Sequence, residues 1–377
     1  MGAELRPLWA EIDLDALVSN YQVLAAMANP SRVCAVVKAD AYGHGAIEVS
    51  RSLFEVGCRD FAVALVDEGI ELREAGIDGE ILVLSEPSVE AFEAAAKYAI
   101  SVTLYSPAAI KIASSVNSVT EKARLGIQLK IDTGMYRAGA SIEDLDEIVN
   151  CLQDTEIEAL WSHFAVADEL NSESIEFTLG QIGKFHAALR ALEARGVSPK
   201  QLHIANTAGL INYPQARFTK ARVGLGLYGY SPILGKPVHD LVPVLSLRSE
   251  VSFVKKVDVG ERPSYGRYRP LERPSFVATV PVGYADGFPR ALFLGGGQVL
   301  INGARYDLAG MVTMDQILID LGPNSTVSPG DHVVLIGDDG NESIRADEWA
   351  TCCSTVAWEI LCGISRRVPR RYVHGRS

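Results

Sequence analysis

Short apolar runs rich in β-branched residues recur through the first two thirds of the chain, near Val33–Lys38, Phe61–Leu65, Ile81–Leu84, Ser101–Tyr105, Leu125–Ile131, Glu158–Ser162, Gln201–Ala205 and Arg222–Leu227. Runs without strict alternation suit strands that are covered on both faces. Helical spacing fills most of the gaps. SVEAFEAAAKY sets Val89, Phe92 and Ala96 on one face behind Ser88 as an N-cap, and SIEFTLGQIGKFHAALRALEARG is closed by Gly196. Eight strand–helix units over ~230 residues predict a (β/α)8 TIM barrel. A doubly wound open sheet shares the alternation but usually has fewer strands, and no Gly-x-Gly-x-x-Gly follows the first run.

The pattern changes near Pro243. VPVLSLRSEVSFVKKVDVG reads as one long β segment, and FVATVPVG, GGGQVLINGARYDLAGMV, QILIDLG and DHVVLIGDD read as short strands broken by Gly, Pro and Asn-Gly. Asn302-Gly303 marks a hairpin, and a helix is expected over Arg345–Leu361. The expected fold is α/β: a barrel over 11–240, then a smaller, mostly β C-terminal domain over 241–377 with residues 1–10 packing on it. The fragment LGGGQ precedes a strand rather than a helix, so it is a turn and not a phosphate loop.

Composition narrows the class of function. At 377 residues the chain exceeds what one core usually serves, and its net charge of −12 disfavours nucleic acid or an anionic membrane as partner. No apolar run approaches the ~20 residues of a bilayer span. The opening MGAELRPLWAEIDLDAL carries acids where an export signal has bases, and Arg6 stands where myristoylation wants Ser or Thr. The six cysteines form no Cys-x-x-Cys pair and no ligand cluster with histidine, so they are expected to be reduced, in a cytoplasmic protein without a metal.

Chemistry-bearing residues gather at the carboxyl ends of the expected barrel strands, where such barrels hold their sites. Lys38 ends the first run, Lys130 and Arg137 flank KIDTGMYR, His163 lies in LWSHF, His203, Asn206 and Thr207 lie in HIANTAG, and Arg222 and Gly224 lie in ARVGLGLYG. A lysine at a strand end is either a surface residue or an amine that forms a Schiff base; the residues alone leave both open. Backbone amides at Gly224 and Leu225, with the Thr207 hydroxyl, fit a phosphate after the last two strands. Lysine and phosphate seat together suggest pyridoxal phosphate, PLP.

AVVKADAYGHG resembles the PLP-attachment motif of the alanine racemase family, and KIDTGMYR, WSHFAVADE, HIANTAG, RVGLGLYG, SYGRY, VPVGYADGFPR, GMVTMDQ and GISRRVPR resemble that family's blocks, in order, across nearly the whole chain. The resemblance implies PLP-dependent interconversion of L- and D-alanine by two bases, supplying D-alanine for peptidoglycan, in a homodimer whose active sites are shared between subunits. It implies that Lys38 holds the cofactor and serves as one base, and that Tyr265 from the partner subunit is the other. His163 would hydrogen-bond Tyr265, with Arg222 behind it facing the pyridine nitrogen. His203 would orient Arg222, or else is an ordinary core histidine. Tyr42, Asn206, Thr207, Gly224 and Leu225 would bind the cofactor, Arg137 would contact its phenolic oxygen and the substrate carboxylate, and Met314, Asp315 and Tyr284 would line the substrate site. Lys130 would be carbamylated; an unmodified Lys130 salt-bridged to Asp132 or another acid is the alternative.

The sequence departs from the family in TVAWEILCGI, where Trp358 stands at a usual tyrosine that reaches the phosphate. An indole donates but does not accept, which leaves substrate range near alanine, serine included, open. A barrel-type amino-acid decarboxylase would need a partner-subunit Cys and Asp motif where this chain has TMDQ and SYGRY, and a non-catalytic PLP carrier would lack the β domain containing Tyr265.

Overall fold

The computed structural model describes residues 5–119, 125–152, 155–233, 238 and 240–375. They form two compact units. One comprises Leu17–Ala41 with Ala46–Val242; the other comprises the chain up to Ala16, the short segment Tyr42–Gly45, and everything from Pro243 onward.

Strand β1 (Leu8–Asp13) belongs to the second unit. The first is built on β2 (Arg32–Val36), β3 (Asp60–Val63), β4 (Glu80–Val83), β5 (Ser101–Leu104), β6 (Ile127–Lys130), β7 (Ala159–Trp161), β8 (Gln201–His203) and β9 (Lys220–Val223). All neighbours are parallel, and β9 returns to pair with β2 in the register Cys34↔Arg222. Between β8 and β9 the seam carries Thr219 N–H to Leu202 O (3.0 Å) and Arg222 N–H to Ala205 O (2.9 Å). The sheet is therefore a nearly closed eight-stranded barrel, as the run pattern predicts.

Strand ends differ from the sequence expectation. β2 stops at Val36, and Lys38 lies in the turn beyond it. Leu225–Leu227, expected in the last strand, instead begins a 3-10 turn, Leu225–Tyr228. At the end of β2 the turn after β9 folds back over the strand: Tyr228 Oη donates to Val36 O at 2.9 Å. One expected helix also changes. Val89–Ala91 is a 3-10 turn with Val89 exposed, the Ser88 side chain accepts no capping bond, and only Phe92–Lys97 is α-helical, with Phe92 and Ala96 buried. The helix Ser172–Glu193 forms as expected, capped by Asn171 and followed by Gly196 at φ +79°.

The barrel interior is partly ionic. Lys220, 1% exposed, donates to Asp60 at 2.8 Å and to both Glu80 oxygens at 3.0 Å. Burial works against each charge here. Lys220 nonetheless holds Glu80 below the usual carboxylate range, and the two carboxylates hold Lys220 above the usual amine range.

The second unit adds β10 (Leu245–Glu250), β11 (Phe253–Val257), β12 (Ser275–Val280), β13 (Gln298–Ile301), β14 (Ala304–Asp307), β15 (Ile317–Gly322), β16 (His332–Asp339), β17 (Glu342–Ile344) and β18 (Arg370–Val373). One sheet runs β14-β13-β16-β10-β1-β18 with β17 on β16; a second runs β11-β12-β15. The single segment expected after Pro243 is thus two strands in different sheets, broken at Val251-Ser252, which lets the chain leave one sheet and enter the other. Asn302 (φ +50°) and Gly303 (φ +73°) make the two-residue hairpin turn that the dipeptide predicts. The expected helix over Arg345–Leu361 is two helices, Ala346–Cys353 and Ala357–Gly363, separated where Ser354 takes φ +56°.

Candidate functional site

Lys38 opens a left-handed turn. Ala39, Asp40, Ala41 and Tyr42 have φ between +52° and +54°, followed by Gly43 at +81°. For residues with a Cβ this conformation costs roughly 1–2 kcal/mol each, so the surrounding bonds must impose it. Glu68 does much of this. One oxygen accepts from Ala39 N–H at 2.6 Å, and the other accepts from Ala64 and Leu65 N–H at the end of β3. Asp40 accepts from Ala46 N–H at 2.8 Å, closing the turn onto the next helix.

Around the barrel rim the cations accumulate. Arg222 is buried; it donates to Ser162 O at 2.7 Å, to His203 Nδ1 at 2.6 Å and to His163 Nδ1 at 3.1 Å. Both imidazoles therefore accept from a group that stays charged. Burial first, and Arg222 next, hold His163 and His203 well below the usual histidine range, so both are neutral with the proton on Nε2. Burial pushes Arg222 down only to about 10, which leaves it protonated at neutral pH.

Trp161 forms the floor of this cluster. Its ring lies under Lys130 Nζ (4.7 Å) and the Arg222 guanidinium (4.4 Å), and it stacks on His203 with centroids 5.7 Å apart. Burial, then Arg137 and Arg222, push the Lys130 amine down to about 8. Asp132 acts in the opposite direction, and no ion pair joins it to Lys130 among the described residues; its Oδ1 accepts from the Gly134, Met135 and Tyr136 amides. The Lys130–Asp132 salt bridge left open by the sequence is not formed.

The expected phosphate seat lies beside this cluster. Asn206 spends its Oδ1 on the Gly209 amide as N-cap of the helix Thr207–Asn212. Thr207 Oγ1 receives a long bond from Gly226 N–H, 3.5 Å, and a Cβ at Gly226 would stand 2.8 Å from Thr207 Cγ2. Gly224 opens the turn Leu225–Tyr228, whose first amides point out of the turn as at any helical start. Cations Lys38, Lys130, Arg137 and Arg222, each raising the cost of charging His163, surround a small-residue cradle with outward amides. That donor set fits a phosphorylated anionic cofactor, and Lys38 fits an aldehyde on it.

In the other unit, the predicted residues Tyr265, Tyr284, Met314 and Asp315 share a cleft of about 770 Å³, with Arg290 also in its lining. Tyr265 is 74% exposed. Its backbone is set by Ser264 (φ +69°) and Gly266 (φ +73°), and by Ser264 Oγ donating to Met311 O. Gly310 permits this approach, since a Cβ there would meet Pro263 O at 2.4 Å. A Cβ at Gly283 would likewise meet Met314 O at 2.3 Å, so the YADG and TMDQ segments must lie together. Beneath them Asp286, buried, takes two bonds from Arg6 (2.7 and 3.0 Å) and one from the Gly283 amide. Asp315 is tied to Arg367 at 2.8 Å. Tyr42 belongs to this unit too, and burial pushes its phenol up to about 12, which keeps it a donor. Trp358 is half-exposed on the helix Ala357–Gly363.

Two residues of these arrangements carry no signal that singles them out in the sequence: Glu68 and Asp286. Trp161 was within reach, because it immediately precedes Ser162 and His163 in LWSHF. Glu68 and Asp286 act on backbone brought near by folding, which no local spacing encodes. Arg290 sits in VPVGYADGFPR and becomes notable once it lines the cleft.

A family model for the alanine racemase N-terminal domain matches residues 12–232, and one for the alanine racemase C-terminal domain matches 244–372. The alanine racemase of Carboxydothermus hydrogenoformans is 40% identical over 373 residues, 98% of this chain and 100% of that protein. The alanine racemase of Clostridium tetani is 39% identical, over 99% of this chain and 97% of the relative. Among solved structures, alanine racemase from E. faecalis superposes with a TM-score of 0.91 at 35% identity, covering 98% of this chain and 99% of the other. Alanine racemase from Bacillus anthracis with bound L-Ala-P gives 0.90 at 34% identity, over 98% and 95%.

Proposed function

Because this chain belongs to the alanine racemase family, we infer that it interconverts L-alanine and D-alanine with PLP as cofactor. The observation that carries the reading is Lys38, in a strained left-handed turn near a rim of cations suited to an anion. When bound, PLP draws electrons away from the amino-acid α-carbon, so that its proton becomes removable.

The protein supplies everything else. Lys38 would anchor the cofactor aldehyde; once the substrate's amine took its place there, the released Lys38 amine would move a proton at one face of the α-carbon. Tyr265 Oη serves the opposite face, contributed by a second copy in a homodimer. His163, neutral with its proton on Nε2, hydrogen-bonds that phenol. Arg222 stays a permanent donor and faces the pyridine nitrogen, which therefore remains unprotonated. Thr207, with the Gly224 and Leu225 amides, Asn206, Tyr42 and Trp358, holds the phosphate and the ring. Arg137 and the Met314 amide orient the substrate carboxylate, while Tyr284 and Asp315 line its approach. The enzyme works in the cytoplasm and supplies D-alanine for peptidoglycan. Its catalytic barrel is the unit Leu17–Ala41 with Ala46–Val242, narrower than the 11–240 expected from the sequence.

Chiral analysis after incubation with PLP and L-alanine tests the reading, with L-serine alongside to measure what Trp358 does to range. D-alanine is expected. Carbon dioxide instead would make the chain a decarboxylase, and bound PLP without turnover would make it a carrier.

Lys130 is carbamylated in this reading. Its amine, with a pKa near 8, is partly neutral at physiological pH; it adds to carbon dioxide, forming an N–C bond and releasing a proton. The neutral fraction rises as pH climbs through about 8, so occupancy should increase from pH 6 to pH 9 under bicarbonate. Native mass spectrometry should show one added carbon dioxide that Lys130→Ala removes. An unchanged mass at pH 9 would reject the modification.

A further inference from the structure

The buried ion group at the foot of the barrel is joined to the rim by one unbroken chain of hydrogen bonds. Asp60, Glu80 and Lys220 are the first residues of β3, β4 and β9. Gln128 Nε2 reaches Glu80 Oε1 at 2.5 Å, Gln128 Oε1 meets His203 Nε2 at 2.9 Å, and His203 Nδ1 meets Arg222 at 2.6 Å. Gln201 adds a weaker bond to the other Glu80 oxygen, 3.3 Å.

Every link has a single allowed direction. A carboxylate only accepts, so Glu80 takes an amide N–H and turns the Gln128 carbonyl toward His203. That carbonyl only accepts, so His203 must carry its proton on Nε2. Nδ1 is then bare and accepts from Arg222, which can only donate. Without the charge on Glu80 the Gln128 amide is free to reverse. It would then present N–H to His203 Nε2, move the proton to Nδ1, and set N–H against N–H at Arg222.

We propose that Glu80 and Gln128 are positioning residues that fix the His203 tautomer and, through it, the orientation of the Arg222 guanidinium at the rim. The proposal rests on the racemase reading for its consequence, since Arg222 there faces the cofactor nitrogen. The tautomer itself does not depend on that reading. The rival is a purely structural role, in which the ion group only stabilises the barrel foot.

The test uses histidine-15N-labelled, PLP-loaded protein, with His203 assigned through His203→Gln. Wild type should show His203 with one protonated and one bare nitrogen. Gln128→Leu leaves Lys220, Asp60 and Glu80 in place, and Glu80→Gln keeps shape while removing charge; in both, the two His203 nitrogen signals should move toward each other. In both, kcat should fall about 10–100-fold with KM little changed, the scale expected when a supporting hydrogen-bond partner is removed. The double variant should be no slower than the slower single, because both act through one chain. Unchanged His203 signals in Gln128→Leu, or losses that multiply in the double variant, would overturn the proposal; so would a lowered melting temperature in Glu80→Gln with normal kcat and normal His203 signals. If wild type fails to racemise alanine, the proposed function fails, while the nitrogen signals still decide the positioning role.

Discussion

Lys38→Ala is expected to lose racemisation by at least ~10³-fold, because one change removes both the covalent anchor and a positioned proton-transfer group. The visible absorbance of lysine-bound PLP should vanish with it. Folding should survive. Lys38 is only half-buried, and the turn behind it is held by Glu68 and Asp40 through the Ala39 and Ala46 backbone amides. Borohydride reduction of wild type should fix the pyridoxyl label on the peptide containing Lys38. A label on any other lysine would remove the foundation of the proposed chemistry.

Tyr265→Phe should slow racemisation by about 10²–10⁴-fold, the range for deleting a general acid or base, while PLP binding is retained. The phenyl ring keeps the packing, and an exposed site of this kind costs within about 0.5 kcal/mol of stability. L- and D-alanine have equal free energies, so the net reaction must slow equally in both directions. Deuterium exchange separates the two bases where turnover does not. With Tyr265 absent, L-alanine should cease to exchange its α-hydrogen in heavy water, while D-alanine, served by Lys38, continues. Equal exchange of both enantiomers in the variant would defeat the two-base assignment.

Much of the barrel was legible in the chain because its signal is local. Eight apolar runs and their helical spacers locate eight strands to within a few residues, and Asn302-Gly303 locates a hairpin. Strand ends were less legible, since the apolar residues past Val36 and Val223 stay buried although the strands have ended. Ser88 and Val89 failed as a helix start for a related reason. Propensity favours a cap there, but a 3-10 turn that exposes Val89 won.

The site divides the same way. Lys38, Lys130, His163, Thr207 and Arg222 were identifiable from residue type and place after a strand. Gln128 and Glu80 were not, because a glutamine and a glutamate within strand runs look like tolerated polar positions. Their partners lie far off in sequence: Lys220 is 140 residues from Glu80, and His203 is 75 from Gln128.

By itself, the sequence determined the rhythm of strand and helix, the change of texture near Pro243, and a lysine at the end of the first barrel strand. These follow from periodicity and chain order, which a linear string carries in full. Only the tertiary structure decided that four residues after Lys38 wind left-handed, that His163 and His203 are both neutral, and that a carboxylate at the barrel foot is linked to an arginine at its rim. Backbone strain, proton placement and charge depend on what surrounds a group in space, and closing the barrel is what creates those surroundings.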